Sequence, residues 1–147
     1  MLNEVKMNEA NELNELFHTI HKLSRKLNKD LNGVLQSFSI YSGQWSVIYT
    51  LKQKGTMTQS ELCEYLSIEA PPVTRMLQRL ESEGFVDRVT GEDKRAKYIK
   101  LSERALQNYP EWEEAVLKRN KEIVEGFSSK DELLSLLKQL LTQLDKR

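Results

Sequence analysis

The chain has 147 residues, a single cysteine, 39% hydrophobic and 30% charged residues, and a formal net charge of zero. That is enough chain for one domain with a real core, and the balance argues against disorder. No run is long and apolar enough for a membrane span, the polar start "MLNEVKMNEANELNE" does not read as a secretory signal, and Cys63 cannot close an internal disulfide, so a cytoplasmic location is expected.

From Leu13, the residues Leu16, Phe17, Ile20, Leu23, Leu27 and Leu31 recur at spacings of three and four, the stripe of an amphipathic helix ending near Asn32-Gly33. "SGQWSVIYTLKQKG" predicts a second helix with Trp45, Ile48, Tyr49 and Leu51 inward and Gly55 as its stop. Thr58 and Glu61 have capping-box spacing and open a short third helix carrying Leu62 and Leu66. Pro71 and Pro72 fit only the first turn of a fourth, just before which Glu69 is expected to cap the helix or to pair with a donor on a base. Val73, Leu77 and Leu80 form its inward face, and Gly84 ends it.

Residues 85–90 and 96–101 then read as the two strands of a hairpin, with Ile99 and Leu101 on one face and Tyr98 and Lys100 on the other. Ser102 caps a long helix running to about Glu125, with Pro110 inside it as an expected kink and Gly126 as its end. Ser129 and Glu132 predict another capping box ahead of "DELLSLLKQLLTQL". Leu133, Leu134, Leu136, Leu137, Leu140, Leu141 and Leu144 make a stripe wider than a surface helix of a small monomer needs. A second copy of the chain is the expected partner of both terminal helices, since two-fold homodimers are the commonest assemblies.

The expected fold is mainly α: a winged helix-turn-helix with a two-stranded wing, flanked by N- and C-terminal dimerisation helices. Its expected divisions are residues 1–40 for the N-terminal dimerisation helix, 41–102 for the winged lobe and 103–147 for the C-terminal dimerisation helices. The fourth helix would be the recognition helix, with Pro72, Thr74, Arg75, Gln78 and Arg79 towards double-stranded DNA: arginine can read guanine and glutamine adenine. Residues 71–104 carry eight Lys or Arg against six Asp or Glu, so the basic excess lies on the segment holding the hairpin. Its tip residues Lys94, Arg95 and Lys97 would reach the phosphate backbone or the minor groove, where arginine reads a narrow groove's negative potential.

These residues resemble the MarR/SlyA family of winged-helix transcription regulators over nearly the whole chain. "DKRAKYIKLSERA" fits the family pattern D-x-R-x-x-x-x-x-L-[TS] with Asp93, Arg95, Leu101 and Ser102 in place, and Arg88 also fits. "SGQWSVI" resembles the opening of the family's second helix, and "PPVTRMLQRLESEGFV" its recognition helix and the turn into the wing. The resemblance implies an obligate dimer built from the terminal helices, Arg95 in the minor groove, Asp93 and Arg88 supporting the wing, and Arg75 in the major groove. It also implies repression of neighbouring genes and, in many members, release from DNA by a small-molecule effector. Pro72 departs from the pattern, standing where many members have Ser or Thr, so one hydroxyl donor to DNA is missing.

The resemblance places a ligand cleft between the dimerisation helices and the lobe, near Phe38, Tyr41, Trp45 and Tyr49, with His18 and His21 as further candidates for lining it. His18 and His21 have a metal-compatible spacing, but no cluster completes a set, so no metal and no cofactor is expected. Cys63 is expected to be a small buried residue of the third helix; the family's peroxide-sensing cysteine lies near the first helix instead. No catalytic triad, phosphate loop or nucleotide fingerprint is present, and no enzyme is expected. The alternative function is a winged-helix module that binds protein without specific DNA binding, which the zero net charge favours.

Overall fold

The computed structural model describes residues 2–146. Helix α1 runs unbroken from Leu2 to Leu35 and is longer than its apolar stripe predicts at both ends. It passes through Gly33, where glycine costs about 1 kcal/mol against alanine in a helix interior. The residues on either side offset that cost: Leu35 is fully buried, and Leu31 and Val34 pack against the core. A 3-10 turn, Gln36–Phe38, leads to α2, Ser42–Lys54. The start of α2 is secured from outside itself, because Asn32 Oδ1 on α1 accepts from the Ser42 amide at 2.6 Å. Gln44 Oε1 reaches back to accept from the Tyr41 amide at 3.0 Å.

A two-residue strand, β1 (Met57–Thr58), runs into α3 (Gln59–Leu66). The capping box forms as its spacing predicts: Thr58 Oγ1 accepts from the Glu61 amide at 3.1 Å and Glu61 Oε1 from the Thr58 amide at 3.2 Å. Helix α4, Ala70–Ser82, takes Pro71 and Pro72 in its first turn. Glu69 stands at the N-cap but makes no side-chain capping bond. Val73, Leu77 and Leu80 are fully buried, as their spacing requires. Gly84 turns the chain at φ +78°, and the Phe85 amide donates to the Leu80 carbonyl at 2.8 Å, closing the helix end.

The hairpin is shorter than expected, β2 being Val86–Val89 and β3 Tyr98–Leu101, with Val86 opposite Leu101 and Val89 opposite Tyr98. It is also not alone. Strand β1 pairs antiparallel with β3, Met57 opposite Ile99, so the two-stranded wing is part of a three-stranded sheet of order β1-β3-β2. Ile99 and Leu101 face the core, and Lys100 faces solvent.

Ser102 joins three pieces. Its hydroxyl donates to the Gly84 carbonyl at 2.6 Å and accepts from the Ala105 amide at 3.1 Å, capping α5 (Glu103–Ile123). Pro110 lies inside α5. The core continues along this helix through Ala105, Tyr109, Trp112 and Val116. Further on, Arg119 grips Asp30 of α1 with Nε at 3.0 Å and Nη2 at 2.9 Å. Hydrogen bonding to that guanidinium holds the Asp30 carboxyl below its ordinary value.

Helix α6, Lys130–Leu144, is not opened by the expected capping box. Ser129 sits at φ −96°, ψ 22°, outside the extended conformation a capping side chain needs, and makes no side-chain bond. None of the residues of α6 is buried, and Leu133, Leu134, Leu136, Leu137, Leu141 and Leu144 are all exposed. The stripe of α1 behaves likewise, with Leu13, Leu16, Phe17, Leu23 and Leu27 exposed.

Candidate nucleic-acid interface

With Val73, Leu77 and Leu80 turned inward, the helical period leaves Arg75 and Gln78 on the exposed face of α4. Arg75 forms no salt bridge among the described residues. Pro72 and Thr74, earlier in the same helix, are less free than the sequence implies. Pro72 is half-buried in the first turn. The Thr74 hydroxyl donates to the Ala70 carbonyl at 2.9 Å and accepts from Gln59 Nε2 at 2.6 Å, so its proton is already committed within the protein.

Arg79 is exposed and also has partners within the protein. Its Nε lies 3.4 Å from Glu83 Oε1, and its guanidinium stacks 4.9 Å from the centre of the Tyr41 ring. It lines a cavity of about 440 Å³ with Lys29, Asn32, Gln36 and Tyr41, on the α1 side of the lobe. Arg79 on α4 therefore meets Tyr41, at the start of α2, and faces the end of α1 across that cavity.

The wing is braced at its base and folded back at its tip. Arg88 Nε donates to Glu81 Oε2 at 2.8 Å, tying β2 to α4. Asp93 Oδ1 accepts from the Arg95 amide at 3.0 Å, and its carbonyl accepts from the Ala96 amide at 3.1 Å. Gly91 lies so close to the Tyr98 ring that an added Cβ would collide with it. The result presents Lys94, Arg95 and Lys97 to solvent, none of them in a salt bridge among the described residues.

A cleft of about 880 Å³ separates the wing from the helical turn, lined by Gln59, Cys63, Ala70, Arg95 and Lys97 among others. Cys63 is half-buried at its wall rather than fully enclosed. Sequence reading missed Gln59 and Glu81. The partner of Gln59 is Thr74, on another helix, and nothing in the local pattern pairs them.

The six aromatic and histidine candidates do not converge. Tyr41 borders the Arg79 cavity. Trp45 is buried, stacked on Tyr109 at 5.6 Å and 15°, and Tyr49, expected inward, is half-exposed. Trp45 and Tyr49 border a separate cleft of about 430 Å³ with Gln53 and Glu113. Beside it the buried Tyr109 hydroxyl has no hydrogen-bond partner, and burial, then the Glu113 carboxylate, pushes its pKa up to about 12. Phe38 packs against the core, while His18 and His21 are exposed on α1 and border neither cavity. Among the described residues no group of three or more potential metal ligands occurs, and no helix is long and apolar enough to cross a membrane.

A sequence model of the MarR family matches residues 40–97. The uncharacterized HTH-type transcriptional regulator YwoH of Bacillus subtilis is 43% identical over 116 residues, covering 79% of this chain and 85% of that protein. A MarR mutant from E. coli complexed with operator DNA is 29% identical, with a TM-score of 0.76 over 91% of this chain and 96% of that one. Reduced AbfR bound to DNA, from a protein of Staphylococcus epidermidis, is 25% identical, with a TM-score of 0.82 over 96% of this chain and 99% of that one.

Proposed function

Because the chain belongs to the MarR family of transcriptional regulators, we propose that it is a cytoplasmic repressor that binds a pseudo-palindromic operator as a homodimer. The observation that carries this reading is that Arg75 and Gln78 of α4 and Lys94, Arg95 and Lys97 of the wing are all exposed to solvent. In this reading α4 enters a major groove, and Arg95 reaches the adjoining minor groove, with Lys94 and Lys97 on phosphates. Thr74 and Pro72 shape the start of the recognition helix, while Asp93 and Arg88 hold the wing. The DNA-bound relatives support a DNA partner.

The exposed leucines of α6 and the stripe of α1 are the surfaces that a second copy would cover. Two-fold symmetry then places the half-sites about 10 base pairs apart. A small-molecule effector would act by favouring a different spacing of the two recognition helices, through differential affinity for the two spacings. The two clefts bordered by Tyr41 with Arg79 and by Trp45 with Tyr49 are the places for it in this reading.

The test is fluorescence anisotropy with the DNA upstream of the protein's own gene, a scrambled duplex and a salt series. Specific binding that weakens steeply with salt supports the reading. Equal, weak binding to every duplex, upstream or selected from random sequence, would leave a protein-binding module as the better reading.

A further inference from the structure

We propose that Gln59 is a positioning residue that sets the recognition helix and the wing at a fixed separation, and thereby determines sequence discrimination. The inference rests on the DNA-binding reading above. Gln59 opens α3, but it is bonded to the two elements proposed to meet DNA. Its side-chain Nε2 donates to Thr74 Oγ1 on α4 at 2.6 Å, and its backbone amide donates at 3.4 Å to the Lys97 carbonyl, where the wing loop enters β3. The pairing of Thr58 with Tyr98 immediately before it extends the same connection into β3.

Thr74 completes the linkage. Its hydroxyl has one proton, already given to the Ala70 carbonyl, so the Gln59 amide occupies a lone pair rather than competing for the donor. Turning Thr74 towards a phosphate would break both bonds. The hydroxyl therefore acts as an internal strut next to Arg75, and Gln59 is its other end. Both residues are half-buried, where a hydrogen bond is less exposed to competition from water.

The cleft of about 880 Å³ gives the strut its consequence. It lies between Ala70 at the start of α4 and Arg95 and Lys97 of the wing, so little side-chain packing spans it. The bonds of Gln59 lie at its edge and limit how far the two sides separate. Contacts that must engage two grooves at once are sensitive to that separation, since a supporting shell that loosens by about 1 Å degrades a preorganised site.

The experiment uses an operator duplex selected from random-sequence DNA with the full-length protein. Affinity for that duplex and for a scrambled one is measured by anisotropy across a salt series. The variants are Gln59→Met, which keeps length without a donor, Gln59→Ala, Thr74→Val, the Gln59→Met/Thr74→Val double variant, and Arg95→Ala. Circular dichroism melts establish that each is folded.

The ratio of specific to scrambled affinity is expected to fall roughly tenfold in Gln59→Met, within the range of couplings between contacting residues. The salt slope should stay at the wild-type value, because no phosphate contact is lost. The double variant should be no worse than Thr74→Val. An unchanged ratio in both Gln59 variants overturns the proposal. So do additive losses together with a shallower salt slope, which mark Gln59 as a direct DNA contact. If Arg95→Ala binds as the wild type does, the DNA-binding role of the wing fails instead, a result separate from either outcome at Gln59.

Discussion

Leucines in two parts of this chain meet opposite fates. In the winged lobe Leu62, Leu77 and Leu80 are fully enclosed by their own chain, beside Val73 and Ile99. Along α6, Leu134, Leu136, Leu141 and Leu144 are half-exposed or more, and the outer stretch of α1 repeats the pattern. The lobe closes its core with three helices, a small sheet and the first half of α5. The end of α1 joins that core through Leu31, Val34 and Leu35, whereas α6 has helical periodicity but buries none of its residues. The contrast separates what one chain buries by itself from the exposed stripes that, in the proposed dimer, a second copy would cover. Zero net charge also hides a local imbalance: residues 71–104 carry eight Lys or Arg against six Asp or Glu, and the acidic excess lies elsewhere in the chain.

The sharpest way to test that contrast is to truncate a lobe leucine. Leu77→Ala should destabilise the protein by about 2–5 kcal/mol, as enclosed leucines do. A thermal or urea melt reads it, and a loss below the range for surface substitutions would mean that the lobe core is not closed as described. On α6, charge rather than truncation is the informative change. Leu134→Asp with Leu141→Asp should convert a dimer into a monomer in sedimentation while the lobe keeps its helical signal. Operator affinity should fall on the order of a hundredfold, because two half-sites no longer bind as one unit. A variant that stays dimeric breaks the comparison.

Arg95→Ala should cost about 1–3 kcal/mol of binding to the selected operator, with the melt unchanged. Wild-type affinity in that variant would remove the wing from the interface. The smallest effect is expected where the two regions are joined. Asp30 is held below its ordinary value of 3.8 by Arg119, so it contributes stability above that pH and loses it as pH falls through the lowered value. Asp30→Asn should therefore lower the melting temperature slightly near pH 6, with the difference from wild type vanishing in acid. A difference that persists below pH 2 would assign the effect to packing instead.

Local chemistry alone determined much of this protein. The Thr58–Glu61 box, the prolines in the first turn of α4, Gly84 after its end and the Val73, Leu77, Leu80 spacing each act within a few residues, so their outcome could be read in order along the chain. The wing was legible for the same reason, from alternation around a charged turn. Tertiary structure decided the rest. Strand β1 exists because β3, distant in sequence, offers it hydrogen bonds, and two residues carry no pattern of their own. Helix α1 runs through Gly33 because the core takes Leu35. Ser129 meets the spacing rule for a cap but not the backbone conformation. Thr74 and Arg79, both assigned to DNA by helical face alone, find partners inside the protein in Gln59, Glu83 and Tyr41. A periodicity says which way a side chain leaves its helix; only the packed neighbours decide what it meets there.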